Sequence, residues 1–401
     1  MGYHLLKLVI CLVVMMMNNH QQVHGAVDSV GLKRVNLTYV TNAAEKEAVC
    51  NDGSPAAYYY DPGFGDGVNN WFIYLQGGGW CNSDENCGYR LKSGVGSSKY
   101  NNQTVYFGQI KSANKSVNPD FYNWNRIIVV YCDSSSFMGN ANHPKIASRG
   151  ARIFNAVMEE LLGKGMAHAH NAILSGASAG GLAALLHCDD FRMLLPHTSR
   201  VKCVIDSGFF IHAPKLHGAE KRAEYFASVA AYHGFTNKLP RSCTSKMNAS
   251  LCIFPQYIIK HIQTPLFLVE SKFDRYQMGY EYLSDDPNFS KCTVNLKLCT
   301  HCHLQVMRDY GVAVTKLLQK IRRYSSSIGM FVHPCIRHGH FFEKQGWYAS
   351  YKLRNKTISQ AVGDWFYDRS SHFQEIDMDH EFPLACRSTK LPNTYCKQLD
   401  F

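Results

Sequence analysis

The sequence predicts an α/β fold, a single disulfide-rich domain with a mostly parallel central sheet flanked by helices. Three observations predict it. Apolar runs of strand length alternate with segments of helical periodicity along most of the chain. One such run enters Gly176-Ala177-Ser178-Ala179-Gly180, a G-x-S-x-G turn set between a strand and a helix. Another, Trp71 to Leu75, ends in Gly77-Gly78-Gly79, where backbone amides can approach a ligand closely. With 401 residues, 46% of them hydrophobic, the chain has enough apolar surface for one large core with insertions.

Taken in order, the chain opens on a separate segment. Lys7 precedes an apolar run from Leu8 to Met17, and Val23-His24-Gly25 supplies small residues suited to cleavage before Ala26. A run of that length is too short to cross a bilayer. Residues 1–25 are therefore expected to be a secretory signal and residues 26–401 the mature domain, and no second run reaches spanning length.

Val35 to Val40 reads as a strand, and a turn-rich stretch from Asp61 leads to the wholly apolar Trp71–Leu75, expected to be buried on both faces. Residues 82–120 are polar and aperiodic, an insertion over the sheet edge. Arg126 to Tyr131 is the next strand. It runs into Asp133-Ser134-Ser135-Ser136, a loop at a strand C-terminus where ligand contacts collect, so Asp133 either touches substrate or caps a turn. Apolar pairs repeat at helical spacing from Arg149 to Gly163. Ala172 to Leu174 is the strand before the G-x-S-x-G turn, and Gly181 to His187 the helix after it. Strands at Val201–Ile205, Pro265–Glu270 and Ile328–Val332, and helices at Glu220–His233, Gln305–Arg323 and Thr357–Asp368, complete the alternation.

Of fifteen cysteines, Cys11 lies in the leader and an even number remains, which in an exported chain implies a disulfide framework. The intervals Cys81/Cys87 and Cys243/Cys252 are natural small loops. Cys292, Cys299, His301, Cys302 and His303 resemble a zinc cluster, but the disulfide reading is the stronger one here and no metal is expected. Six N-x-S/T sequons, at Asn36, Asn102, Asn114, Asn248, Asn288 and Asn355, fit a secreted glycoprotein. The net charge of +11 suits an anionic partner, whether an acidic polysaccharide, a membrane surface or nucleic acid. Export disfavours nucleic acid. No Lys/Arg block of binding-motif type is present, so the charge reads as dispersed.

A serine hydroxyl is a weak nucleophile until a base takes its proton, and the base needs a carboxylate to fix its tautomer. In the α/β-hydrolase arrangement the order is Ser, then Asp or Glu, then His, each after a strand. Ser178 is the candidate nucleophile. Asp206 and Asp274 both qualify as the acid, and Asp274, after the later strand, is favoured; His333, His338 and His340 all follow the final strand, with His338 favoured. Gly78 and Gly79 on the glycine loop and Ala179 after the nucleophile are the candidate oxyanion donors.

These residues resemble those of the plant pectin acetylesterases, with a more distant likeness to the Notum-type carboxylesterases of animals. The resemblance rests on Gly77-Gly-Gly-Trp-Cys81, Tyr131-Cys-Asp-Ser-Ser-Ser-Phe137, Arg149-Gly-Ala-Arg-Ile-Phe-Asn-Ala-Val157, Ile173-Leu-Ser-Gly-Ala-Ser-Ala-Gly-Gly-Leu182, Asp206-Ser-Gly-Phe-Phe210 and Ala361-Val-Gly-Asp-Trp-Phe-Tyr-Asp-Arg369. It departs at Gln76, where the plant family usually has histidine, at Ala177, where it usually has cysteine, and at Gly339. The resemblance implies an α/β-hydrolase-like serine esterase of the cell wall with a Ser178/Asp274/His338 triad, acting on acetylated pectin without a cofactor. A monomer is expected, with no nucleic-acid partner. The alternatives are a Notum-like lipid carboxylesterase and a polysaccharide-binding protein on an inactive scaffold.

Overall fold

Strands β1 (Arg34–Tyr39), β2 (Ala57–Asp61), β3 (Asn70–Leu75), β4 (Thr104–Tyr106) and β5 (Asn125–Val129) precede a small hairpin, β6 (Ala141–Asn142) and β7 (Ala147–Ser148). Strands β8 (Asn171–Ala177), β9 (Arg200–Asp206), β10 (Leu266–Ser271), β11 (Gly329–His333) and β12 (Gln374–Ile376) follow. The longer helices are α1 (Gly150–Gly163), α2 (Ala179–Leu186), α3 (Ala219–Tyr232), α4 (His301–Tyr324) and α5 (Ile358–Phe366). This computed structural model describes residues 33–386, apart from 283–285, 287, 325–326, 342–346, 349–350 and 385. The expected leader and Cys396 lie outside the described residues.

All strands but the β6–β7 hairpin join one sheet in the order β12-β11-β10-β9-β8-β3-β5-β2-β1-β4. From β12 to β5 every pairing is parallel, whereas β2, β1 and β4 add an antiparallel edge. The mostly parallel sheet expected from the sequence is present. Parallel strands need crossovers, which helices α1 to α5 supply from β5 onward, and strands inside such sheets are covered on both sides. Hence β3 from Trp71 onward, all of β5, and β10 are buried at every position. The sequence reading missed β2, along with the short strands β4, β6, β7 and β12. The Ala-Tyr-Tyr-Tyr-Asp of β2 lacks an alternating pattern because it too is buried almost throughout, between β1 and β5. The insertion over 82–120 does reach the sheet edge, donating β4 beside β1.

Six disulfides among the described residues tie this frame, Cys50–Cys132, Cys81–Cys87, Cys188–Cys203, Cys243–Cys252, Cys292–Cys299 and Cys335–Cys386. The two short loops expected from spacing both form. Cys292–Cys299 also dissolves the zinc-like cluster, because bonded sulfurs are not available as thiolate ligands. Cys302 beside it is free and exposed.

One buried histidine makes stability pH-dependent. His233 Nδ1 meets Ser148 Oγ at 2.7 Å and Nε2 meets the Cys81 carbonyl at 2.9 Å, joining the β6–β7 hairpin to the cysteine loop. Burial holds its imidazole down at about 4. An unfolded histidine titrates near ~6.5, so the unfolded chain takes up the proton first as pH falls. Stability is therefore full above ~6.5 and lost on descent toward 4, by roughly 3 kcal/mol from this residue alone. Urea unfolding at pH 7 and pH 4 should show this loss, and His233→Gln should flatten the dependence.

Candidate active site

The centre of the site is the turn between β8 and α2. Ser178 holds φ 57° and ψ −127°, a left-handed-side conformation that lifts its side chain off the strand end. Only glycine fits around it. A β-carbon on Gly176 would lie 2.1 Å from the Gly180 carbonyl oxygen, and one on Gly180 would lie 2.2 Å from that of Leu75. The turn is fixed by Ser178 N–H donating to the Asp206 carbonyl at 2.9 Å. Ala179 begins α2, so its N–H has no acceptor within the helix and stands at the positive end of the helix dipole.

The glycine loop after β3 runs directly against this turn. A β-carbon on Gly77 would come within 2.9 Å of Ser178 Cβ and 3.2 Å of Ala179 N, so Gly77, rather than Gly78 or Gly79, is the residue packed on the serine. Gly78 and Gly79 are oriented from behind. Arg90 donates to the Gly78 carbonyl at 2.6 Å and to Ser134 Oγ at 2.7 Å, and the Tyr131 hydroxyl donates to the Gly79 carbonyl at 2.7 Å. Because a peptide carbonyl and the following N–H point in opposite directions, these bonds fix the amides of Gly79 and Trp80. Ser136 then ties loop to turn, accepting from Trp80 Nε1 and donating to the Ala179 carbonyl, at 2.8 and 2.7 Å.

The structure sorts the two acids and three histidines into separate pairs. His338 Nδ1 donates to Asp274 Oδ2 at 2.7 Å, while the Gln277 amide donates to Asp274 Oδ1 at 2.8 Å. Asp274 is fully buried, and the His338 ring stacks on Tyr276 with centroids 5.0 Å apart. A β-carbon on Gly79 would lie 3.4 Å from the Tyr276 hydroxyl, which links the histidine to the glycine loop.

His333 and His340 are engaged with each other. The Cys335 amide donates to His333 Nδ1 at 3.1 Å, so the His333 proton sits on Nε2 and is donated to His340 Nε2 at 2.6 Å. His340 then donates from Nδ1 to Asp206 Oδ1 at 2.5 Å. Burial, with the charges of His340 and Arg337 behind it, holds His333 well below the usual histidine range. Asp206 also accepts the backbone amides of His340 and Phe341. Burial would raise its carboxyl, but these contacts from His340 and Phe341 bring it below the usual range. Asp206 is thus the anchor of the loop that carries His338.

Several of these residues carry no sequence signal of their own. Lys111, on the edge insertion, reaches under the histidine loop, donating to the Phe341 carbonyl at 3.1 Å with Nζ 4.1 Å from the centre of the Tyr74 ring. Burial lowers its ammonium to about 7. Glu270 accepts the amides of Gly208 and Phe209, and burial followed by the Asp274 charge pushes its carboxyl well up, toward the protonated form. Asp133 resolves as a turn cap: it accepts from the Ser135 and Phe137 amides and from Ser135 Oγ, fully buried. Of the sequon asparagines, Asn36, Asn102, Asn248, Asn288 and Asn355 are exposed and Asn114 is half-buried.

A half-buried serine on a tight turn, glycine-loop amides and an Asp–His pair at the ends of β8, β3 and β10–β11 are the parts an acyl transfer uses. Comparison with known proteins points the same way. The pectinacetylesterase family profile matches residues 30–389. Pectin acetylesterase 11 of Arabidopsis thaliana is 44% identical over 91% of this chain and 94% of its own, and pectin acetylesterase 7 of the same plant is 43% identical over 88% and 92%. Palmitoleoyl-protein carboxylesterase notum2 of Xenopus laevis is 27% identical over 80% of this chain and 65% of its own. Among solved structures, the Wnt deacylase Notum from Drosophila superposes with a TM-score of 0.74 at 23% identity, covering 88% of this chain and 98% of that one, a likeness of fold.

Proposed function

The chain belongs to the pectinacetylesterase family, and from that premise we propose that it is a secreted serine esterase removing acetyl groups from pectin in the cell wall. The observation that carries the reading is the buried Asp274 carboxylate bonded to His338 Nδ1, in a chain that also holds Ser178 on a strained turn at the C-terminal end of β8. Ser178 Oγ attacks the acetyl carbonyl carbon while His338 Nε2 takes its proton, and Asp274 stabilises the resulting imidazolium. The amides of Gly78, Gly79 and Ala179 receive the negative oxygen, each such donor contributing about 2.7–4 kcal/mol. Collapse breaks the bond to the sugar oxygen, which takes the proton from His338. Water, deprotonated by His338, then attacks the acetyl-Ser178 ester; the bond to Ser178 Oγ breaks, His338 returns the proton to that oxygen, and acetate leaves.

This mechanism needs no cofactor from its own residues. The protein acts as a monomer on an acidic polysaccharide, with residues 1–25 removed on export and the exposed sequon asparagines as glycan sites. No helix among the described residues is long and apolar enough to cross a membrane.

The test is acetate release from acetylated pectin, with p-nitrophenyl acetate and p-nitrophenyl palmitate compared in parallel. The proposal expects acetate release and preference for the short ester. Preference for palmitate without acetate release would turn the reading to a lipid carboxylesterase. Binding of pectin without turnover would turn it to a non-catalytic scaffold.

Arg90 gives a second test, because it orients the glycine loop without touching Ser178. Arg90→Met should lower kcat about ten- to a hundredfold with KM little changed, the cost of misplacing an oxyanion donor. Steady-state kinetics on p-nitrophenyl acetate measures it; an unchanged kcat would remove Arg90 from this role.

A further inference from the structure

The charge that reads as dispersed along the sequence is gathered in space. Residues 225–269 contain no aspartate or glutamate but carry Lys238, Arg241, Lys246 and Lys260, and residues 310–328 likewise lack acids while carrying Lys316, Lys320, Arg322 and Arg323. These two stretches meet around a cavity of about 530 Å³. Its floor is apolar, with Ile259, Ile321 and Ile328 buried and Leu317 half-buried; Lys246, Lys260 and Lys320 are exposed along its rim, and no carboxylate among the described residues lines it.

None of these three lysines has an ion-pair partner among the described residues, whereas lysines elsewhere, Lys202, Lys272 and Lys356 among them, are paired with aspartates. Three like charges around one depression repel each other unless an anion sits between them. Burial, then the charges of Lys246 and Lys260, hold the neighbouring His261 below the usual histidine range, as expected in a positive field. The Tyr257 ring in the lining is fixed by its hydroxyl meeting His212 Nδ1 at 2.7 Å. An aromatic and aliphatic surface under spaced cations suits a chain of sugar rings bearing carboxylates.

The cavity is separate from the catalytic residues. Ile328 immediately precedes β11, whereas His338 lies beyond the far end of that strand. Five residues of strand span about 16 Å, so a small ester held at Ser178 does not reach the lysines.

We propose that the groove lined by Lys246, Lys260 and Lys320 is a second polysaccharide site, which holds a polyuronate chain by its carboxylates at a distance from the ester being cleaved. The proposal rests on the pectin reading above and adds where the polymer is gripped. Its role is to raise the residence of long substrate on the enzyme, so it acts on KM for polymer and not on the chemistry of the ester.

The experiment uses polygalacturonate without acetyl groups, so binding is read independently of turnover. Affinity electrophoresis of the full chain compares wild type with Lys246→Gln/Lys260→Gln/Lys320→Gln. Wild type should bind, with affinity falling as salt rises, and the triple variant should bind about tenfold more weakly or worse. The variant should raise KM on acetylated pectin several-fold while hydrolysing p-nitrophenyl acetate at the wild-type rate, which also shows that it is folded. If that rate drops, Lys260→Arg with Lys320→Arg serves as the folded control and should retain polymer binding. Equal binding by wild type and triple variant overturns the proposal, as does a wild type that fails to bind the polymer. Binding to anionic phosphatidylserine vesicles and not to polygalacturonate overturns it in favour of a lipid surface. Failure of the pectin reading itself would appear separately, as absence of acetate release by wild type.

Discussion

Ser178→Ala is expected to lower kcat for acetyl-ester hydrolysis by on the order of 10⁴- to 10⁶-fold, with the fold unchanged. Alanine keeps the β-carbon, and the turn is imposed by backbone contacts, namely the Ser178 amide on the Asp206 carbonyl and the close approach of Gly176 to Gly180. The loss therefore falls on chemistry alone. Thermal unfolding should coincide with wild type, and both p-nitrophenyl acetate and acetylated pectin should report the same loss. A variant retaining a tenth of the activity would exclude Ser178 as the nucleophile.

The second large effect separates two buried aspartates by their readouts. In Asp274→Asn the amide of Gln277 still requires an oxygen, so the new NH₂ faces His338 Nδ1. A donor there forces the His338 proton onto Nε2, and the ring can no longer accept a proton from serine. A fall in kcat of about 10⁴-fold is expected, with little change in stability. Asp206→Asn acts differently. Its two oxygens take three N–H donors, the His340 and Phe341 amides and His340 Nδ1, so one donor must meet an NH₂. Breaking such a buried arrangement costs about 3 kcal/mol or more. Urea unfolding of the two variants beside their rate constants should show the contrast. Equal destabilisation, or a rate loss in Asp206→Asn larger than in Asp274→Asn, would reverse the assignment of acid and anchor.

Much of this was legible in the sequence because its physical causes are local. Strand β3 is apolar at nearly every position because it lies mid-sheet, and Gly176, Gly180 and the Gly77 loop are glycines because neighbouring backbone leaves no room for a β-carbon. Thr357 and Gln360 form the capping box that starts α5, at the position expected. What escaped was set by long-range packing. Strand β2 has no alternation because both its faces are covered. Choosing among His333, His338 and His340 needed the Cys335 amide, whose bond to His333 fixes the tautomers of two rings. Ser136, Arg90 and Lys111 act across separations in sequence of 43, 12 and 230 residues, which no motif records. The charge of the groove was equally hidden, since its lysines come from segments that become neighbours only on folding.

The central claim is that acetyl passes through a covalent bond to Ser178. Rapid acid quenching of the wild-type enzyme during turnover of p-nitrophenyl acetate, followed by peptide mapping, tests it most directly. The account predicts a single acetylated peptide bearing the group on Ser178, absent when His338 is replaced by alanine. Steady release of acetate with no acetyl on Ser178, or with the group on another side chain, would contradict it.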